Sequence, residues 1–206
     1  MSDLVTLVPV ALAFLVVTVS PGPANIAVAM VAMSAGRRSG LAFGMGLALG
    51  LAVWGVVAAT GMGALLQTSA TALVALKLGG GAYLVWLALQ SGRAALRRGE
   101  NRVATPRRGR WFARGLVLNL SNPKAVVAWM AALSMGLGAG DGNGDVILAT
   151  LMCVVIGITN YLFYALTFSL PGAMAAYRRL RRWVDGAVAG LFAAAGFSLI
   201  RSALAR

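Results

Sequence analysis

Apolar residues gather along the chain into six long runs: Leu4 to Ala35, Leu41 to Leu66, Ala70 to Leu89, Gly115 to Leu137, Val146 to Leu170 and Gly186 to Leu204. A helix needs about 20 residues to cross a hydrocarbon core about 30 Å thick, so the later runs each predict one membrane-spanning helix. The first run, at 32 residues, is too long for one straight span. Pro21-Gly22-Pro23 stands in its middle, where proline removes a helical hydrogen bond and glycine loosens the backbone, so a broken helix is expected. Met1 to Asp3 carries no basic residue and prolines crowd any cleavage point after Ser20, so the start is not read as a signal peptide.

Composition sharpens this picture. With 60% hydrophobic residues, a mean hydropathy of +0.83 and 11% charged residues, a single domain this size cannot hide its apolar surface from water. The chain has no histidine, five acids and one cysteine, Cys153. It therefore cannot build a histidine-based triad, a multi-thiolate metal site or an internal disulfide, and neither enzyme chemistry, a metal nor a cofactor is expected. The formal charge of +13 does not predict nucleic-acid binding, because the arginines fall in short clusters between apolar runs rather than on a basic face.

Those clusters orient the chain. Arg37 and Arg38 follow the first run, eight arginines lie from Arg93 to Arg114, and Arg178, Arg179, Arg181 and Arg182 precede the sixth run. Placing these three loops in the cytoplasm puts fourteen of sixteen arginines there, with Asp3, Asp141 and Asp145 outside. Both termini are then expected outside an inner, plasma-type membrane that the chain crosses several times. The basic segment 91–114, containing Gly99, Pro106 and Gly109, separates a first three-helix half, 1–90, from a second, 115–206. The halves enter the membrane from opposite sides, which predicts an all-α integral membrane protein of six transmembrane helices arranged as two inverted three-helix repeats.

The repeat has a chemical echo. The break at Pro21 to Pro23 in helix 1 is matched by Asn122-Pro123 in helix 4, and matched proline interruptions in inverted halves point to a transporter's central site. Ser20-Pro21 and Asn122-Pro123 each read as an N-cap side chain followed by proline at the first helical position. Each new half-helix would aim amide N–H groups and its positive dipole end at mid-membrane, a receptor for a carboxylate. The competing reading is a proline kink that serves packing alone.

Further polar groups lie within the runs. Lys77 and Lys124 place ammonium groups in hydrocarbon, where they require pairing or hydration. Lys77 is near enough to its helix end to snorkel, whereas Lys124 is central. Asn25, Asn119, Asn122, Asn160 and Tyr164 are candidates for ligand contact or for interhelical hydrogen bonding, both readings remaining open. No carboxylate is expected deep in a span, Asp185 falling at the edge of the sixth run. Cys153 reads as a small buried apolar residue. Gly36, Gly40, Gly44, Gly46 and Gly50 form small-residue ridges for close helix contact. Trp86, Trp111 and Trp183 read as interfacial anchors.

Taken in order, Ser20-Pro21-Gly22-Pro23, Gly36-Arg37-Arg38 with the glycines that follow, Lys77 with Gly81-Ala82-Tyr83-Leu84 and Trp86-Leu87, Asn119-Leu120, Asn122-Pro123-Lys124-Ala125 and Gly196-Phe197-Ser198-Leu199 resemble the LysE/RhtB family of amino-acid exporters. The resemblance implies a six-helix inner-membrane exporter of amino acids or close derivatives, driven by the proton-motive force. Two positions depart from it. Ala24 stands where many relatives carry Asn or Asp, and Leu51 where many carry an acid.

The resulting expectation is a secondary transporter that exports neutral amino acids by alternating access, with an intramembrane enzyme or a passive channel as the alternatives. Its substrate-binding residues are expected among Ser20, Pro21, Gly22, Pro23, Asn25, Lys77, Asn119, Asn122, Pro123, Lys124, Asn160 and Tyr164. The expected partners are the amino-acid substrate, the lipid bilayer and, as one option, a second copy of the chain in a homodimer.

Overall fold

The computed structural model describes residues 4–68, 70–96, 109–136 and 143–204. All eight elements among the described residues are helices: α1 Leu4–Val19, α2 Pro23–Ala35, α3 Arg37–Thr68, α4 Ala70–Leu96, α5 Trp111–Leu120, α6 Pro123–Gly136, α7 Asn143–Thr167 and α8 Ala173–Leu204. Among these residues Arg37–Gly61, Gly144–Thr167 and Arg179–Leu204 are single helical segments long and apolar enough to cross a membrane. Two bent pairs join them by the same measure. One couples Leu7–Val19 to Pro23–Ala35 at 54°, the other Trp111–Leu120 to Lys124–Leu133 at 68°. The breaks fall where proline removes an amide from the helical ladder.

Some helices outrun the apolar runs that announce them. The sixth run starts at Gly186, but α8 starts at Ala173 and carries Arg179, Arg181 and Arg182 within its helical body. Arginine is a good helix former, and its long stem lets a helix continue beyond the hydrocarbon. At about 1.5 Å per residue the 32 residues of α8 extend about 48 Å, well beyond a bilayer core.

The bundle is organised by two close helix contacts and a shared centre. α4 lies along α8, while α3 packs on α5 and α7; α1 contacts α6 and α7. A Cβ on Gly46 would sit 2.0 Å from the Phe112 carbonyl oxygen, and one on Gly115 would sit 2.1 Å from that of Phe43. Only glycine at both positions lets α3 and α5 approach so closely. Phe14 and Trp129 are fully buried at the centre, their rings 4.6 Å apart, and Trp129 Nε1 donates to the Leu51 carbonyl at 2.9 Å. Outward, α3 exposes Val53, Val56 and Val57, and α7 exposes Leu148, Leu151 and Val155. Helices meet the bilayer's demand that backbone groups be satisfied internally, so such faces are suited to lipid. The described residues are all-helical in architecture, and their long apolar helices fit a multi-pass membrane protein.

Candidate functional site

The break between α1 and α2 sets the site. A helix ends with four carbonyls that lack an intrahelical amide. Here Val17, Thr18, Val19 and Ser20 each receive a side-chain donor instead. Pro21 has no N–H for Val17, and the Ser20 hydroxyl donates to that carbonyl at 2.7 Å. Asn25 Nδ2 donates to Thr18 at 2.7 Å and to Ser20 at 3.0 Å. Pro23 has no N–H for Val19, whose carbonyl accepts from the Tyr164 hydroxyl at 3.0 Å. Lys124 Nζ donates to the Ser20 carbonyl at 3.1 Å and also to its hydroxyl. Asn160 Nδ2 donates to Asn25 Oδ1 at 3.1 Å and orients that amide. Side chains of α2, α6 and α7 thus converge on the end of α1.

The N-terminal side of the break is different. The α2 N-cap is Gly22, with extended backbone, Pro23 at the first helical turn and no side-chain cap. This corrects the expectation that Ser20 caps the half-helix. Pro23, not Pro21, starts it, and the Ser20 hydroxyl is already spent on Val17. A Cβ on Gly22 would lie 3.0 Å from Lys124 Nζ, so glycine makes room for the ammonium. The second break follows the expectation more closely. Asn122 Oδ1 accepts the Lys124 backbone amide at 3.1 Å, as an N-cap should. Its carbonyls are served mainly nearby, Ser121 N donating to Val117 and Asn122 N to Asn119, while Trp54 Nε1 reaches Leu120 at 3.2 Å.

Two cavities meet here. A cavity of about 30 Å³ is lined by Thr18, Gly22, Asn25, Asn122, Lys124 and Tyr161 among others. A larger one of about 560 Å³ runs from Ser20, Pro21, Gly22, Pro23, Asn122 and Lys124 toward Tyr177, Arg181 and Asp185, with Tyr83, Trp86 and Phe192 along its wall. Gly22, Asn122 and Lys124 border both.

Residues 15–203 match the LysE type translocator family. The chain belongs to that family. It is 31% identical over 198 residues to proteins named "Threonine efflux protein" from Escherichia coli (strain K12) and Salmonella typhi, covering 94% of this chain and 96% of each relative. It is also 38% identical over 117 residues to a "Homoserine/homoserine lactone efflux protein" of Salmonella typhimurium, covering 56% of each chain. No solved structure matches the chain.

In this translocator the sequence-predicted residues whose side chains are described divide into three groups. Ser20, Pro21, Gly22, Pro23, Asn25, Asn122 and Lys124 line one or both cavities. Asn160 and Tyr164 act on the broken end of α1 through hydrogen bonds. Asn119 is fully buried at the contact of α3, α5 and α7, donating to the Leu47 carbonyl at 2.5 Å and to the Tyr161 hydroxyl at 3.3 Å. The side chains of Lys77 and Pro123 lie outside the described residues.

Sequence reasoning missed Asp185. The apolar run from Gly186 places it at a helix edge, but the early start of α8 makes it the thirteenth residue of that helix. It is 3% exposed and lines the large cavity. Arg181 Nε pairs with its carboxylate at 3.4 Å, one helical turn away. The signal was present in the i, i+4 spacing of Arg181 and Asp185, but the polar run before Gly186 hid the helix. Tyr177, one turn further out, has its phenol pushed above its usual range by burial and the Asp185 carboxylate, with Arg181 opposing. It remains a neutral hydrogen-bonding group at physiological pH.

Proposed function

We propose that this translocator exports neutral amino acids by alternating access, with the substrate carboxylate held at the break between α1 and α2. The observation that carries the reading is the position of Lys124 Nζ, beside the uncapped start of α2 and at the junction of both cavities. An ammonium has three donors. Ser20 takes two contacts, which leaves one N–H for a carboxylate that also meets the positive end of α2. The 560 Å³ cavity falls within the range of small-molecule sites, whereas the inner cavity holds only water-sized groups. The substrate ammonium and side chain therefore occupy the larger space, among the hydroxyls of Tyr83 and Tyr177, the Gln90 amide and the ring of Phe192.

Charge argues for neutral substrates. Lys124, Arg93 and Arg181 line the large cavity against one carboxylate, Asp185, which Arg181 already pairs. An extra positive charge there meets net repulsion in a medium of low dielectric. The relatives named for threonine and homoserine efflux accord with this preference. Six spans in two inverted halves, 1–90 and 115–206 joined by 91–114, underlie the proposed alternation. Support comes from the two bent pairs at corresponding positions and from paired contacts, α3 on α5 being answered by α1 on α7. The arginine clusters support cytoplasmic placement of the side of the large cavity lined by Arg93 and Arg181, with both termini outside.

Counterflow of labelled amino acid in proteoliposomes tests the proposal: an exporter exchanges, a channel leaks and an enzyme changes the solute. Leucine, threonine or homoserine should compete at least about tenfold better than lysine or arginine, a difference of about 1.4 kcal/mol. Equal competition by lysine would overturn the neutral preference.

A further inference from the structure

Asp185 stands in the wall of the large cavity with less than its chemistry requires. An ionised carboxylate accepts hydrogen bonds through two oxygens and carries no donor of its own. Asp185 lines the cavity and is 3% exposed, yet its buried Oδ2 has no hydrogen-bond partner among the described residues. Arg181 Nε faces that oxygen at 3.4 Å, beyond the about 2.7–2.9 Å of a charge-assisted hydrogen bond. A pair that served only to brace one turn of α8 would gain nothing from a buried oxygen lacking a donor, which is a cost to the fold. Arg181 is the outer member of the pair, its side chain 24% exposed against 5% for Asp185, and it lines the same cavity. Both lie within the span Arg179–Leu204, where charged side chains that face a cavity mark the path of a solute.

We propose that Asp185 and Arg181 form a second binding station for the amino-acid head group, in which the substrate ammonium joins Asp185 while Arg181 turns to the substrate carboxylate. A zwitterion carries the same two charges as the ion pair, so this cross-pairing leaves the net charge of the cavity unchanged and supplies the donor that Oδ2 lacks. The guanidinium is a planar fork of five N–H donors that matches a carboxylate. The station precedes the contact with Lys124 and does not share it. Lys124 borders both cavities and Asp185 only the larger. Phe192, whose ring centre lies 6.0 Å from Lys124 Nζ, is seven residues beyond Asp185 on α8, about 10 Å further along the wall, whereas an amino-acid head group spans about 3 Å. The 560 Å³ space has the size of a site for a drug-sized ligand and so has room for two amino acids. This inference rests on the export of neutral amino acids proposed above and deepens it: the α-ammonium occupies the carboxylate on this wall, so a cationic side chain finds no second acceptor there.

The test is equilibrium dialysis of purified full-length protein against labelled threonine. Wild type should bind two threonine molecules per chain at saturation. Asp185→Asn should bind one, Asp185→Glu, which keeps the carboxylate, should retain the second, and Lys124→Met should keep the threonine that Asp185→Asn loses. 3-Hydroxybutyrate, which is threonine without its ammonium, should compete at least about tenfold less well than threonine for the site at Asp185. A merely structural Asp185 would move neither the stoichiometry nor this discrimination. Saturation of wild type at one threonine per chain overturns the proposal, and that measurement does not depend on any variant folding. Folded Asp185→Asn that still binds two, or 3-hydroxybutyrate competing as well as threonine for both sites of wild type, overturns it as well. Wild type that binds no threonine removes the neutral amino-acid reading and this one together, whereas a single site that Lys124→Met abolishes removes this one alone.

Discussion

Lys124 Nζ donates to the Ser20 carbonyl at 3.1 Å, joining the start of α6 to the end of α1 across 104 residues of sequence. One residue thereby connects the two broken helices. It serves the carbonyl of Ser20, just past the end of α1, and it brings a positive charge to the start of α2. A buried carbonyl and a buried ammonium are each unfavourable alone, and their pairing offsets both.

Lys124→Met should lower amino-acid counterflow at least about tenfold, since it removes about 1.4 kcal/mol or more of carboxylate interaction. Lys124→Arg should retain part of the activity, because charge persists while the compact ammonium geometry is lost. Exchange rates normalised to reconstituted protein check both. Wild-type rates in the Met variant would remove this lysine from substrate binding.

Tyr164→Phe should act on stability. It deletes the donor to the Val19 carbonyl, which Pro23 cannot serve, and a hydrogen bond of this kind contributes about 0.5–1.5 kcal/mol. Unfolding of the variant in detergent should shift downward with little change in the apparent substrate affinity. A large affinity change at unaltered stability would identify Tyr164 as a direct ligand contact.

Gly46→Ala should destabilise the bundle, because its new methyl would meet the Phe112 carbonyl and force α3 from α5; overpacking of this kind costs about 1–3 kcal/mol. Gly61→Ala is the control, since nothing lies within 4 Å of its Cβ. Helix propensity even favours that alanine by about 1 kcal/mol. Comparing the two unfolding midpoints tests the close contact.

Accessibility tags at position 100 and near position 180 should label from the cytoplasmic side, and those near positions 68 and 142 from outside, following the arginine distribution. Labelling of positions 100 and 142 from one side would exclude the inverted arrangement, because one predicted span separates them.

The sequence by itself determined the helical class, the long apolar segments and the places where helices break. Long apolar runs, arginine clusters and proline act through local properties: transfer into hydrocarbon, retention of charge in water, and a missing amide. It also singled out Lys124, since a charge far from either end of a span stands out in one dimension, and Asn122 as a cap, since an N-cap serves an amide two residues away.

Only the tertiary structure decided what those polar groups do. Which donor serves Val17, Thr18, Val19 or Ser20 depends on α2, α6 and α7 arriving together at one helix end, and no spacing along the chain records that meeting. Asp185 illustrates the same limit. Its surroundings read as a polar helix edge, yet continuation of α8 through the arginines and the packing of α4 along α8 place it on a cavity wall. Apolar burial is additive along a segment and therefore legible from sequence. The partner of a buried polar atom is set by the joint position of several segments, and only the packed bundle specifies it.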